Sequence, residues 1–382
     1  MIDLRSKLPH VGTTIFTTMG KLAAKHKAVN LSQGFPNFGA DQKLLGLVQD
    51  AFAKGHNQYA PMEGIIELRE VISEKIALLY NHHYHPETEI TITASATQGI
   101  FTAISAFVQP DDEVIIFKPA YDCYEPTIEL CGGVVVPLEL KGKDFKVDWM
   151  AFKQAITTKT KMVVINTPHN PSGTILSEQD MLQLQAILKD TNIIVVSDEV
   201  YEHIVFDGKQ HQSVAKFGDL ATRSILCASF GKTFHVTGWK MGYCAAPKTL
   251  MHEFRKTHQY VVFCVNHPMQ RGVAEYLKTP SNYLNLNDFY QQKRDYFLKG
   301  IQSSKFSFEP ASGTYFQVLD YSNISNENDI AFSKRLIEHH KIASIPISVF
   351  NLNKKDHKQL RFCFAKTTET LDKAIAILNQ IN

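Results

Sequence analysis

The stretch SILCASFGKTFHVTGWKMGYCAA, residues 224–246, contains two short apolar segments separated by a loop rich in glycine and threonine. Segments this short that are apolar at consecutive positions predict strands buried on both faces of a sheet, here 224–230 and 242–246. The loop between them carries Lys232 and Lys240. Lysine side chains are seldom buried, so each of these two, viewed alone, is expected at the surface. Their role depends on what the rest of the chain places beside them.

Five further apolar segments predict strands, and helical patterns separate most of them along the chain. These segments are 89–94, 113–117, 134–138, 161–166 and 193–197. Buried strands that alternate with helices predict a fold of the α/β class, with a mostly parallel sheet covered by helices. Ligands of such sheets bind at the carboxyl ends of the strands.

The pattern changes near residue 285, where long helices with polar faces alternate with short strands. A chain of 382 residues is long enough for two domains. The sequence therefore predicts a large domain over 41–285 and a smaller α+β domain over 286–382. Residues 1–40 are predicted to form an N-terminal arm that joins the small domain.

The composition excludes several classes of protein. Forty Lys and Arg residues balance 38 Asp and Glu residues, and no basic block suggests a nucleic-acid partner. No apolar run reaches the roughly 18 residues of a membrane-spanning helix, and the N-terminus lacks the apolar core of a signal peptide. Six cysteines without a CxxC pair are expected to be free thiols, and no metal site is expected. We expect a cytoplasmic protein. No strand is followed by GxGxxG, which argues against a dehydrogenase.

Polar residues follow two neighbouring predicted strands at their carboxyl ends. Asp198 comes directly after the strand 193–197, and Tyr201 follows three residues later, so one turn can place both on one side. A helix cap beside a half-buried tyrosine is the simpler alternative. Asn170 lies in the turn TPHNPSG, 167–173, where a plain connector is an equally good interpretation.

Two more strand ends complete the set. SATQ at 95–98 begins a helix, where free backbone N–H groups favour an anion, although every helix also needs a cap. Lys232 supplies an amine that can attack a carbonyl group. A carboxylate, polar donors, an anion cradle and such a lysine are the groups that pyridoxal phosphate requires from a protein.

Four motifs in order along the chain resemble those of the fold-type I, class I pyridoxal-phosphate aminotransferases. Two further segments are typical of the methionine and kynurenine aminotransferase branch, which also shares Lys240 where many class members have arginine. The resemblance covers essentially the whole chain. The motifs are NTPHNPSG (166–173), DEVY (198–201), SFGKTFHVTGWKMG (229–242) and RFCFAK (361–366), and the branch segments are NLSQGFPNF (30–38) and NQYAP (57–61).

The resemblance implies a role for each site residue. The catalytic residues would be Lys232, which binds the cofactor covalently and moves a proton, Asp198, which pairs with the ring nitrogen, and Tyr201. Tyr201 and Asn170 would hydrogen-bond the ring hydroxyl. The cofactor phosphate would be held by Ser229, Lys240 and the backbone of Ala96 and Thr97.

The resemblance also implies contacts around the ring and the substrate. Tyr121 would stack on the cofactor ring, and Tyr59 would reach the phosphate of the neighbouring subunit, which makes a homodimer the expected unit. Arg361 would clamp the substrate α-carboxylate, because a guanidinium fork matches a carboxylate in two hydrogen bonds. From its strand pattern alone, Arg361 would instead be an exposed residue. Asn170 and Gly34 would complete the substrate site, and Phe16 is an aromatic candidate for its side-chain pocket, for which a core position is an equally good interpretation.

The function implied is a ping-pong transamination from an L-amino acid, with methionine, kynurenine or an aromatic amino acid as donor, to a 2-oxo acid. The nearer alternative is a cysteine-conjugate carbon–sulfur β-lyase on the same fold. A cofactor-sensing regulator is a third possibility, but it requires a DNA-binding domain before motifs that here begin by residue 30.

Overall fold

The structure is a computed structural model that describes residue 2 and residues 4–382. Met1 and Asp3, which belong to the predicted arm, lie outside the described residues. The strands are β1 (Val29–Asn30), β2 (Ile90–Thr93), β3 (Glu113–Lys118), β4 (Val134–Glu139), β5 (Thr160–Asn166), β6 (Ile194–Asp198), β7 (Ser224–Ser229), β8 (Gly242–Ala245), β9 (Phe316–Asp320), β10 (Ile342–Ala343), β11 (Ile345–Pro346) and β12 (Gln359–Cys363).

Helices cover the sheets and connect most of their strands. They are α1 (Ile15–His26), α2 (Gln42–Ala53), α3 (Ile66–Tyr80), α4 (Ser95–Phe107), α5 (Tyr124–Leu130), α6 (Trp149–Ala155), α7 (Glu178–Leu188), α8 (Gly218–Ala221), α9 (Phe230–Thr233), α10 (Lys248–Val261), α11 (His267–Leu277), α12 (Ser281–Leu284), α13 (Leu286–Gly300), α14 (Asp329–His340) and α15 (Thr368–Leu378).

The central sheet has seven strands in the order β2-β8-β7-β6-β5-β3-β4. All neighbouring pairs are parallel except those of β8, which runs antiparallel to β2 and β7. The strands β2, β6, β7 and β8 are buried at every position, as expected for a sheet with helices on both faces. The prediction of a mostly parallel sheet covered by helices is confirmed.

Two smaller sheets form from the ends of the chain. Strands β11, β12 and β9 make an antiparallel sheet, and β1 pairs in parallel with β10. Strands β9, β10, β11 and β12 belong to the region beyond residue 285, where the sequence predicted short strands alternating with helices, and Ser344 separates β10 from β11. The pairing of β1 with β10 supports our proposal that the arm, 1–40, joins a small domain over 286–382. The boundaries at residues 40 and 285 stay predictions.

The helices begin and end where local chemistry favours it. Ser177 caps α7 in a capping box with Asp180, whose side chain accepts from the Ser177 backbone N–H. Thr14 and Asp148 cap α1 and α6 through their side-chain oxygens. By contrast, α4 begins without a side-chain cap. No helix among the residues that the structure describes is both long and apolar enough to cross a membrane.

Candidate active site

A cavity of about 150 Å³ lies at the carboxyl ends of β5, β6 and β7, beside the N-terminus of α4. Strands that run in the same direction end at the same edge of the sheet, so the residues that follow them meet there. Nine of the sequence-predicted residues line this cavity: Ala96, Thr97, Tyr121, Asn170, Asp198, Tyr201, Ser229, Lys232 and Lys240.

Lys232 lies in the short helix α9, directly after β7, and its side chain is half-buried. Its Nζ donates to the backbone oxygen of Gly34 at 3.1 Å and to Tyr315 Oη at 3.0 Å. Burial lowers the pKa of the Lys232 amine to about 8, and the charges of Arg361 and Lys240 act in the same direction. A large fraction of this amine is therefore neutral just above neutral pH, which makes it a usable nucleophile and base.

Asp198 ends β6 and is buried at the floor of the cavity. Tyr124 Oη donates to Asp198 Oδ2 at 2.6 Å, and the backbone N–H of Val200 donates to Oδ1 at 3.3 Å. Burial raises the pKa of the Asp198 carboxyl to about 6, although the Tyr124 hydroxyl opposes that shift. The carboxylate has no cation within ion-pair distance among the described residues. It is suited to a positively charged partner that the protein itself does not supply.

The N-terminus of α4 forms one wall. Ser95 has a φ of 78°, in the left-handed region that L-residues rarely adopt, and its Oγ is buried without a hydrogen-bond partner among the described residues. Gly242 lies against this turn, where a Cβ would stand 2.9 Å from the backbone nitrogen of Ala96. Free N–H groups at the start of a 13-residue helix attract an anion. Ser229 and the exposed Lys240 face the same space.

Arg361 is 2% exposed, so the exposed position suggested by its strand pattern alone is wrong. Its Nη1 donates to Asn170 Oδ1 at 2.6 Å and its Nη2 donates to the backbone oxygen of Ser32 at 3.3 Å. Its guanidinium carbon lies 3.9 Å from the ring centroid of Phe316 and 5.3 Å from that of Phe16. These contacts hold the guanidinium in one orientation.

Arg361 is joined to the cavity by Asn170, which lines that cavity. Its Nε is buried without a hydrogen-bond partner among the described residues. A buried guanidinium without a carboxylate is suited to an incoming carboxylate. Gly34 and Phe16 lie outside the cavity lining, but each contacts a residue of this group, Lys232 and Arg361 respectively.

The two remaining tyrosines differ in position. Tyr121 is half-buried in the cavity wall, with its ring edge-to-face on Tyr124 at 5.9 Å. Tyr59 is 80% exposed, packs against Phe263 with ring centroids 5.3 Å apart, and does not line this cavity. Within one chain, therefore, the structure brings together every sequence-predicted site residue except Tyr59.

Sequence reasoning missed three residues that shape the site. Tyr315 is fully buried and its hydroxyl donates to the Gly34 oxygen at 2.6 Å. Tyr124 binds Asp198, and Asn166 Nδ2 donates to the Asp198 backbone oxygen at 2.9 Å. Asn166 ends a predicted strand, which is a usable signal. The two tyrosines lie among apolar residues, where a core position is the ordinary expectation.

These residues fit pyridoxal phosphate. Asp198 lacks a cation, and α4 offers free N–H groups together with an unpartnered Ser95 hydroxyl. A ring nitrogen and a phosphate group supply the two complementary charges. Lys232 lines the same cavity as Asp198 and the start of α4, and burial lowers the pKa of its amine.

The sequence family described as aminotransferase class I and II matches residues 26–378. A methionine aminotransferase of Escherichia coli strain K12 is 45% identical over 378 residues, covering 99% of this chain and 98% of the relative. A probable N-succinyldiaminopimelate aminotransferase of Mycobacterium tuberculosis H37Rv is 35% identical, covering 98% and 97%. A kynurenine–oxoglutarate transaminase of Dictyostelium discoideum is 32% identical, covering 95% and 93%.

Solved structures agree with the sequence relatives. The crystal structure of YbdL from Escherichia coli, for which a methionine aminotransferase function was identified, superposes with a TM-score of 0.98 at 45% identity and covers 100% of both chains. The chain belongs to the class I and II aminotransferase family.

Proposed function

We propose that this protein is a pyridoxal-phosphate-dependent aminotransferase that moves an amino group from an L-amino acid to a 2-oxo acid by a ping-pong mechanism. The observation that carries the proposal is a single cavity in which Lys232, the buried carboxylate of Asp198 and the open N-terminus of α4 face one another. Aminotransferases of this class use pyridoxal phosphate, and these three groups match its aldehyde, ring nitrogen and phosphate.

When bound, the cofactor supplies an aldehyde that combines with amines and a ring that withdraws electrons from the substrate Cα. We assign its phosphate to the backbone of Ala96 and Thr97, to the Ser229 hydroxyl and to Lys240. Because lysine is a point charge without the arginine fork, the helix N-terminus carries more of the phosphate binding. Tyr121, which lines the same cavity, would stack on the cofactor ring.

Asp198 would hold a protonated ring nitrogen, and the buried Tyr124 hydroxyl favours the charged form of the carboxylate that this requires. Tyr201 and Asn170 would donate to the ring hydroxyl. Lys232 Nζ would move the proton of the substrate Cα, because its lowered pKa places a neutral amine in the cavity near neutral pH.

We assign the substrate α-carboxylate to Arg361, which Asn170 and Phe316 orient and which no carboxylate of the described residues neutralises. The Gly34 backbone, which contacts Lys232, and Phe16, which contacts Arg361, would complete the substrate site. The relatives support methionine or kynurenine as donor, and aromatic amino acids remain part of the proposal. An N-succinylated diamino acid belongs in the same donor panel because of the 35% identical relative.

We further propose that the working unit is a homodimer in which Tyr59 reaches the neighbouring site. Its 80% exposed ring, beside the partly exposed Phe263, supports an interface at this position. We also propose a cytoplasmic location, supported by six cysteines that are all free thiols.

The decisive experiment is a spectrum of the purified protein with added cofactor, followed by a panel of amino donors with 2-oxo acid acceptors. We expect an absorbance band of lysine-bound cofactor, its loss when methionine is added, and its return with an oxo acid. The Lys232→Ala variant should lack both the band and turnover. If the unaltered protein shows no such band, or if Lys232→Ala transaminates at an undiminished rate, the proposal is wrong.

The same panel tests the β-lyase alternative, which no relative described above supports. A cysteine conjugate incubated without any oxo acid would yield pyruvate and ammonia in a lyase. An aminotransferase would release one oxo acid per site at most and then stop, because its reaction cycle needs a 2-oxo acid acceptor to be completed.

A further inference from the structure

Lys366 is a buried lysine outside the cavity, and none of the roles above uses it. It follows β12 in the chain and is 3% exposed. None of the ion pairs between described residues includes it. Burying an ammonium group without a carboxylate is costly unless other acceptors satisfy its protons. The acceptors that Lys366 does have therefore indicate its role.

Lys366 Nζ donates to two backbone oxygens, that of Phe35 at 2.8 Å and that of Gln33 at 3.4 Å. These two residues flank Gly34. The Gly34 oxygen in turn accepts from Lys232 Nζ at 3.1 Å. One three-residue turn therefore lies between the Lys366 ammonium on one side and the proposed catalytic amine on the other.

Gly34 lies at the centre of this turn and has no side chain that could hold the turn in place. A Cβ at this position would lie 2.6 Å from a ring carbon of Phe316, so the turn has no room for a side chain at its centre. Glycine is also the residue with the greatest backbone freedom. With no side chain at position 34, the turn is held by its own hydrogen bond, from the Phe35 N–H to the Gln33 oxygen at 3.0 Å, and by groups that donate to the flanking carbonyls.

The C-terminal segment 361–367 also makes hydrogen bonds to the rest of the loop 31–37. Helix α13 in turn contacts the backbone of Lys366. Lys293 Nζ donates to the Lys366 backbone oxygen at 2.9 Å. Three further contacts join the two segments: Cys363 N–H to the Leu31 oxygen at 2.8 Å, Arg361 Nη2 to the Ser32 oxygen at 3.3 Å, and Thr367 N–H to Asn37 Oδ1 at 2.7 Å. Lys366 therefore supplies the hydrogen bonds from the C-terminal segment to residues 33–35 of this loop.

We propose that Lys366 is a positioning residue that fixes the turn 33–35, so that the Gly34 backbone is held against Lys232 and the amino-acid substrate. The inference rests on the proposed function, because it uses the roles given there to Gly34 and Lys232. A lysine suits this task, since one ammonium group can donate to two carbonyls that point at it from either side of the glycine.

The test compares Lys366→Met with Lys373→Met, an exposed lysine of α15 whose Nζ pairs with Glu369. In the cofactor-loaded enzyme we expect hydrogen exchange of the peptide 31–37 to rise about tenfold in Lys366→Met, the equivalent of one charged hydrogen bond lost from a local opening. The KM for L-methionine should rise by a similar factor while kcat changes less than about threefold. Lys373→Met should match the unaltered enzyme in both.

Unchanged exchange at 31–37 together with an unchanged KM in Lys366→Met would overturn the inference. If that variant does not fold, Lys366→Gln takes its place, because the amide keeps a polar group at the site, and the same two outcomes apply. The exchange comparison also works on the cofactor-free protein. If the unaltered enzyme turns over no amino donor, the proposed function fails, while the exchange result still decides the role of Lys366.

Discussion

At the scale of single residues, Asp198 illustrates a conflict between stability and function. Its buried carboxyl has a pKa of about 6, against 3.8 for an ordinary aspartate. Between those pH values the folded protein keeps a proton that the unfolded chain releases, so stability falls as pH rises. Above pH 6 the penalty is complete, at about 2–3 kcal/mol.

We therefore predict that Asp198→Asn stabilises the cofactor-free protein at pH 8 by about 2 kcal/mol, because the amide is neutral and its oxygen still accepts from Tyr124. Transamination should fall more than about a hundredfold. Urea denaturation at pH 8 and at pH 5 measures the first effect, and the gain should shrink at pH 5. Equal gains at both pH values would contradict the ionisation argument.

The Tyr124 hydroxyl gives a second prediction at this scale. It donates to Asp198 Oδ2 at 2.6 Å and thereby lowers the pKa of that carboxyl. In Tyr124→Phe, the pKa of Asp198 should rise, and the acidic limb of the kcat/KM profile should move to higher pH, with a loss of about tenfold near pH 6. A uniform loss at all pH values would indicate a packing defect instead.

At the scale of elements, a buried ion pair holds the chain that follows β6. Lys75 of α3 pairs with Glu202 at 2.6 Å, and both side chains are 3% exposed. Tyr80 and Tyr243 also donate to the Glu202 carboxylate. Burial alone would raise the pKa of Glu202, but Lys75, His203 and the Tyr80 hydroxyl lower it to about 2. The ion pair connects α3, and the Tyr243 hydrogen bond connects β8, to the segment that carries Asp198 and Tyr201.

Removing one partner of this pair leaves the other charge buried. We predict that Lys75→Met lowers the free energy of unfolding by about 3–5 kcal/mol. The double variant Lys75→Met/Glu202→Gln should lose less stability than the sum of the losses of the two single variants. The exposed pair of Lys256 and Glu253 in α10 is the matched control, for which Lys256→Met should cost below about 0.5 kcal/mol. Urea denaturation measures five proteins: the unaltered chain, Lys75→Met, Glu202→Gln, the double variant and Lys256→Met. Strict additivity of the two buried changes would count against the pairing.

The elements also show what the sequence can and cannot predict. Strands β5, β6 and β7 were predictable because their residues are apolar on both faces, and the residues that follow them gave Asp198, Asn170 and Lys232. The antiparallel direction of β8 was not predictable, because strand pairing depends on contacts between segments that are distant in the chain. Tyr315 and Lys366 were missed for the same reason, since Tyr315 contacts Gly34 and Lys366 contacts Phe35 across about 280 and 330 residues of chain.

At the scale of the whole molecule, the open question is whether one chain makes a complete site. Tyr59 neither lines the cavity of its own chain nor appears among the contacts given above for the site residues, and its ring is 80% exposed. In the proposed homodimer, the twofold axis places each Tyr59 at the other subunit's phosphate. The proposal therefore assigns Lys232 and Tyr59 of one site to different chains.

Subunit mixing tests this arrangement. We predict that Lys232→Ala and Tyr59→Ala proteins, each with low activity at limiting cofactor, regain activity when they are unfolded together and refolded. A hybrid dimer has one site with Lys232 from one chain and Tyr59 from the other, and random pairing makes half the dimers hybrid, so about a quarter of the sites should be complete. If Tyr59 served its own subunit, no hybrid would contain a complete site and mixing would restore nothing.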